Sequence, residues 1–86
     1  TPCTFPVNFD VMEARGLRAV AVSEGEVRAA QRHALAKLRL VVEPGGAAAL
    51  AAVLAGKVPT DGRTAVIVSG GNVDPVAYAA VIAALD

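Results

Sequence analysis

Apolar positions recur along this chain at changing spacings, and each change marks an element. Phe5, Phe9 and Met12 fall at i, i+4 and i+7, which predicts a short helix over 4–15. Pro6 fits there only in the first turn, and Gly16 supplies a C-terminal stop. Residues 18–22 (Arg-Ala-Val-Ala-Val) read as a short extended piece. Ser23-Glu24-Gly25-Glu26 has the form of a capping box, in which Ser23 accepts from the Glu26 amide and the Glu26 carboxylate reaches back. The helix it opens carries Val27, Ala30, Ala34, Leu35 and Leu38 on one stripe, with Arg28, Arg32, His33 and Arg39 off it. That is an amphipathic surface helix with solvated charges and an exposed His33.

Beyond it, Leu40-Val41-Val42-Glu43 runs into Pro44-Gly45-Gly46, with Pro44 suited to a first helical position. Residues 47–55 are apolar on every side, so a helix here is expected to be buried all round, with Gly56 ending it and Pro59 preventing its resumption. Asp61-Gly62 is a turn. Residues 64–69 form a strand apolar on both faces, as in a covered parallel sheet. Asp74 caps a last helix, with Pro75 in its first turn, running to about Leu85. The expected order is α, short β, α, α, β, α.

Composition narrows the possibilities. Eighty-six residues allow one domain, 1–86, with no boundary, repeat or linker inside it. The chain is 55% hydrophobic with two Phe and one Tyr, and its formal charge is zero, which removes the electrostatic case for nucleic acid or an anionic membrane as partner. Cys3 is the single cysteine and His33 the single histidine, so no internal disulfide, multi-cysteine site or histidine metal cluster is expected. A lone cysteine suits a cytoplasmic setting. The start Thr1-Pro2-Cys3-Thr4 has no secretory pattern and no initiator methionine, which suggests a fragment or processed product. The apolar run 47–55 is far short of the ~20 residues needed to cross a bilayer.

A physical mismatch remains. A strand that needs cover on both faces and a helix that needs cover all round cannot be satisfied by two strands and four short helices. The chain therefore reads as part of a larger α/β body. The alternative is an obligate oligomer that completes its core between copies.

The richest chemistry lies at the end of the second strand. Ala65-Val66-Ile67-Val68 stops at Ser69-Gly70-Gly71-Asn72-Val73-Asp74. Ligands of open α/β sheets bind just beyond the carboxyl ends of strands, and glycines let backbone approach a bound group closely. The same residues suit a tight strand-to-helix turn that binds nothing, and spacing alone does not choose.

Three stretches together resemble one family. Val41-Val42-Glu43-Pro44-Gly45-Gly46-Ala47-Ala48-Ala49-Leu50 resembles the glutamate–proline motif of fold type II pyridoxal-phosphate enzymes. Val66-Ile67-Val68-Ser69-Gly70-Gly71-Asn72-Val73-Asp74 resembles their C-terminal serine-glycine-glycine-asparagine motif. Thr4-Phe5-Pro6-Val7-Asn8 and Val22-Ser23-Glu24-Gly25-Glu26 resemble the preceding stretch in threonine and serine dehydratases and their racemase relatives. The resemblance implies the C-terminal part of a catalytic domain built on an open, mostly parallel sheet with covering helices. It implies a Ser69 hydroxyl bonded to the pyridine nitrogen of the cofactor, standing in open space rather than among aliphatic neighbours. A neutral hydroxyl makes the ring a milder electron sink than a carboxylate would, which favours elimination of water from a hydroxyamino acid.

By the same resemblance, Glu43 lines the pocket beside the ring, with a plain helix-N-terminal carboxylate as the alternative. Gly70, Gly71 and Asn72 shape the loop at the cofactor's edge, and Gly45 and Gly46 permit close packing. The family's Schiff-base lysine and glycine-rich phosphate cup lie upstream, and neither Lys37 nor Lys57 matches the lysine motif. No catalytic residue is therefore expected here, and activity requires a complementary N-terminal polypeptide in a homo-oligomeric enzyme. An amino-acid racemase of the same fold is an alternative. So is a non-enzymatic α/β module whose exposed strand edge and helix engage another protein.

Overall fold

The computed structural model describes residues 6–84. Its elements are α1 (Pro6–Ala14), α2 (Glu24–His33), one π-helical turn (Ala34–Leu38), a 3-10 turn (Pro44–Ala47), α3 (Ala48–Leu54) and α4 (Pro75–Ala83). Cys3, Phe5, Leu85 and the start of the first predicted helix lie outside the described residues.

Local chemistry sets the helix ends. At α2 the Ser23 hydroxyl accepts from the Glu26 amide at 3.1 Å, while Glu26 Oε1 accepts from the Ser23 amide at 2.7 Å, which is the predicted box. α1 ends at Gly16 with Leu17 N donating to the Met12 carbonyl at 3.0 Å and Gly16 N to that of Glu13 at 3.1 Å. α3 ends at Gly56 in the same way, with Lys57 N on Ala52 at 2.9 Å and Gly56 N on Val53 at 3.1 Å. Asp74 Oδ1 accepts from the Val76 amide at 3.3 Å and starts α4 with Pro75 in its first turn. The Asp61 turn also forms, with the Thr64 amide on its carbonyl at 3.1 Å.

Alanine dominates the core. Ala30 and Ala34, on α2 and the π turn that continues it, meet Val42, Ala47, Leu50 and Ala51, with Val22, Val27, Val66 and Val68 packed around them. Such small side chains bring α2 close to α3, and each contributes little burial of its own. α4 rests on α2, where Arg32 Nη1 donates to the Val81 carbonyl at 3.2 Å.

Four expectations need correction. α3 is covered on one side only: Leu50, Ala51 and Ala52 are buried while Ala49 and Leu54 are exposed, because the chain has too little mass to surround it. The α2 stripe ends early, with Leu38 47% exposed, because the wider π turn rotates that position away from α3. His33 is half-buried rather than exposed.

The fourth correction concerns the sheet. Among the described residues no β-strand forms. Residues 64–69 are extended and alternate, with Val66 and Val68 against the core and Ile67 79% exposed. One face is therefore covered, not two. The segment and the glycine after it touch their neighbour through two backbone bonds: Glu43 N donates to the Gly70 carbonyl at 2.7 Å and Ser69 N to the Gly46 carbonyl at 3.2 Å. A ladder needs a partner along its whole length, and these residues offer one only at the glycine end.

Candidate functional site

Those two bonds tie the turn 43–46 to the loop 69–71 and build the site. Glu43 is extended (φ −72°, ψ 160°), since a residue before proline is driven out of the helical region. Pro44 then opens the 3-10 turn, which turns Gly46 towards Ser69. A methyl group on Gly46 would overlap the Ser69 carbonyl, so the contact admits no side chain. Gly70 has φ +75°, a left-handed backbone that side-chain-bearing residues rarely adopt, and a methyl there would overlap the Glu43 carboxylate. Gly71 lies against the Val41 carbonyl.

The junction borders a shallow cavity of about 100 Å³ lined by residues 40–42 and 68–71. Ser69 stands exposed at its rim, and its hydroxyl has no hydrogen-bond partner among the described residues. The half-buried Glu43 makes no side-chain cap to the turn that follows, and its carboxylate lies on Gly70 instead. Ser69, Gly70 and Gly71 thus share one cavity with Glu43 beside it. Asn72 is exposed and does not line that cavity, and the Val73 amide closes the loop on the Gly71 carbonyl at 3.0 Å. Gly45 differs from Gly46. It is exposed, and a methyl placed on it would touch nothing, so no close packing depends on it.

Sequence reasoning passed over Gln31. It is 2% exposed, and its Nε2 donates to the Val42 carbonyl at 2.9 Å. The available signal is its position: Val27, Ala30, Gln31 and Ala34 stand at i, i+3, i+4 and i+7, so Gln31 completes the apolar stripe despite its polarity. Its Oε1 is buried with no partner among the described residues. An unmet buried acceptor costs about 1–3 kcal/mol, against about 0.5–1.5 kcal/mol gained from a neutral hydrogen bond.

Neither lysine singled out in the sequence lines the cavity at this junction. Lys57, beyond the opposite end of α3 from Gly46, donates to the Ala21 carbonyl at 2.8 Å and pairs with Glu26 Oε1 at 2.7 Å. The Lys57 ammonium, followed by the Ser23 amide, holds the Glu26 carboxyl below its ordinary value of 4.5. Two wider cavities, of about 450 and 480 Å³, open along α2 towards Val81 and Ile82 and do not include the Ser69 loop. Among the described residues no group of three or more His, Cys, Asp or Glu side chains could hold a metal, and no helix is long and apolar enough to cross a membrane.

Comparison with known proteins decides the family. The family described as pyridoxal-phosphate dependent enzyme matches residues 2–70. The chain belongs to that family. It is also 45% identical over 56 residues to a Sinorhizobium fredii (strain NBRC 101917 / NGR234) protein named "Putative threonine dehydratase". That match covers 64% of this chain and 17% of the relative, so the chain spans about a sixth of the relative's length. No solved structure matches. The family match takes in Glu43, Gly46, Ser69 and Gly70 and stops short of Gly71 and Asn72.

One group at this junction, the Ser69 hydroxyl, has the chemistry to meet an edge of the family's cofactor. A ring nitrogen needs a hydrogen-bonding group with space beside it, and Ser69 offers an unpartnered hydroxyl at an open rim. The side-chain positions that Gly70 and Gly71 leave empty face the Glu43 carboxylate and the Val41 carbonyl, so these glycines serve the packing of the junction itself. Nothing among the described residues of this junction resembles a phosphate cup or carries a lysine amine.

Proposed function

We propose that this chain is the C-terminal part of the catalytic body of a pyridoxal-phosphate-dependent lyase of the threonine/serine dehydratase type, fold type II, which removes water and ammonia from a hydroxyamino acid. The observation that carries the reading is the free Ser69 hydroxyl on a glycine rim, in a chain whose family match runs through that residue. The identity with a protein bearing a dehydratase name supports the reaction class.

When bound, pyridoxal phosphate supplies an electron sink that loosens the bonds at the substrate's α-carbon. The chain's own residues have simpler tasks. Ser69 would hold the ring nitrogen through a neutral hydroxyl, without forcing a proton onto it. Glu43, pressed on Gly70, would wall the ring's edge and keeps Gly70 in place. Gly70 and Gly71 would shape the loop at the cofactor's edge, and Asn72 follows them at the outer end of the loop.

A complement must supply the lysine and the phosphate cup, and it has surface to dock on. Ile67 and Val76 are 79% and 80% exposed, and α4 buries none of its residues. A strand from the complement beside residues 64–69 would turn this extended segment into part of the parallel sheet that the resemblance implies. The assembled enzyme is then a homo-oligomer of the complete catalytic domain.

The test is made in the assembled protein. Ser69→Ala should leave pyridoxal phosphate bound and slow elimination from threonine or serine, and Ser69→Asp should slow it further and raise transamination. Unchanged turnover in Ser69→Ala would remove this hydroxyl from the mechanism.

A further inference from the structure

The Gln31 amide and the Gly70 carbonyl meet the same peptide group. Gln31 Nε2 donates to the Val42 carbonyl at 2.9 Å, and the amide on the other side of that peptide bond, Glu43 N, donates to the Gly70 carbonyl at 2.7 Å. A peptide unit is planar, so holding its oxygen and its nitrogen fixes the orientation of the whole plane. Gln31 sits on α2, the helix against which α3, the 3-10 turn and α4 all pack, and the Gly70 carbonyl follows directly on Ser69. One peptide plane therefore links the central helix to the rim hydroxyl.

We infer that Gln31 is a positioning residue: it grips the Val42–Glu43 peptide from behind and thereby sets where Gly70 and the Ser69 hydroxyl stand. Methionine has nearly the same length and shape and would fill the same space between the helices. What glutamine adds is a directed N–H at the Val42 carbonyl. The link to the cofactor rests on the function proposed above. The link to the glycine junction stands without it.

The experiment uses the assembled protein, this chain with its lysine-bearing complement, and compares Gln31→Met with Leu50→Ala, a core loss that leaves the peptide's partners in place. Amide hydrogen exchange at Glu43 and Ser69 and fluorescence titration with pyridoxal phosphate are read together. In the wild type the Glu43 amide should be protected. Gln31→Met should raise its exchange by roughly tenfold and weaken pyridoxal phosphate roughly three- to tenfold, with the thermal midpoint lowered less than in Leu50→Ala. An unprotected Glu43 amide in the wild type overturns the inference whether or not any variant folds. Equal effects of the two variants on Glu43 exchange overturn it as well. If the wild type fails to bind pyridoxal phosphate while Gln31→Met still frees the Glu43 amide, the proposed function falls and the positioning role stands.

Discussion

The two halves of this molecule use similar residues to different ends. Between α2 and α3, alanines and one leucine are buried, both helices are tied by hydrogen bonds at their ends, and Gly46 of the turn before α3 is pressed against backbone. In α1, α4 and the segment 64–69, Val11, Val76 and Ile67, each of greater apolar area than alanine, stand open to solvent. Apolar content therefore does not predict burial here. Close approach does, and close approach depends on small residues and satisfied ends. The first half holds the small core, with α3 still open on its far side, and the second leaves its larger apolar side chains uncovered.

The sharpest way to break this contrast is at the junction. Gly46→Ala should cost about 3 kcal/mol or more in urea denaturation of the chain, because the added methyl meets the Ser69 main chain, which has nowhere to go. A loss under about 1 kcal/mol would mean that the turn and the glycine loop part easily. Leu50→Ala should cost about 2–3 kcal/mol, at the low end for a leucine because its surroundings are small. Gly70→Ala should cost about 2 kcal/mol, combining the left-handed backbone with displacement of the Glu43 side chain. Adding Glu43→Ser should recover the steric share and leave the backbone share, which a double-mutant cycle resolves.

Smaller effects sharpen the same comparison. Ser23→Ala should cost about 1 kcal/mol through loss of the α2 cap. Val76→Ala, in exposed α4, should stay within about 0.5 kcal/mol. Comparable losses at positions 50 and 76 would erase the distinction between the halves.

The smallest effect is acid sensitivity. The Glu26 carboxyl is lowered from 4.5 by Lys57 and the Ser23 amide. A depressed acid favours the folded state at pH above its unfolded value, and that contribution fades as pH falls through the folded one. Stability should therefore decline as pH drops below about 4.5, and Lys57→Met should flatten the decline in a pH series of thermal midpoints.

Helix ends are legible in the sequence because they are local. Ser23 and Glu26, Gly16, Gly56, Asp74 and Pro75 specify their partners within a few residues, and each plays its expected part in the structure. The extent of burial is less legible. An all-apolar run such as 47–55 states what could be buried, and only the available mass decides how much is. The sheet could not follow from 64–69 alone, since a strand is a relation between segments.

At the candidate site, the glycine motif announces the loop, while the contact between Glu43 and Gly70 needs three dimensions. Gln31 illustrates the complementary failure. Its residue type argues for solvent, its place in the helical period argues for the interior, and the period is the better guide.

The overlap that any methyl on Gly46 would make with the Ser69 carbonyl has a consequence for descent. Though distant along the chain, these stretches cannot drift separately. A lineage that substitutes position 46 must reshape the bend at 69–70, and one that enlarges position 70 must shorten the acid at 43. Homologous sequences, once aligned, should show these sites changing in concert or staying fixed as a set.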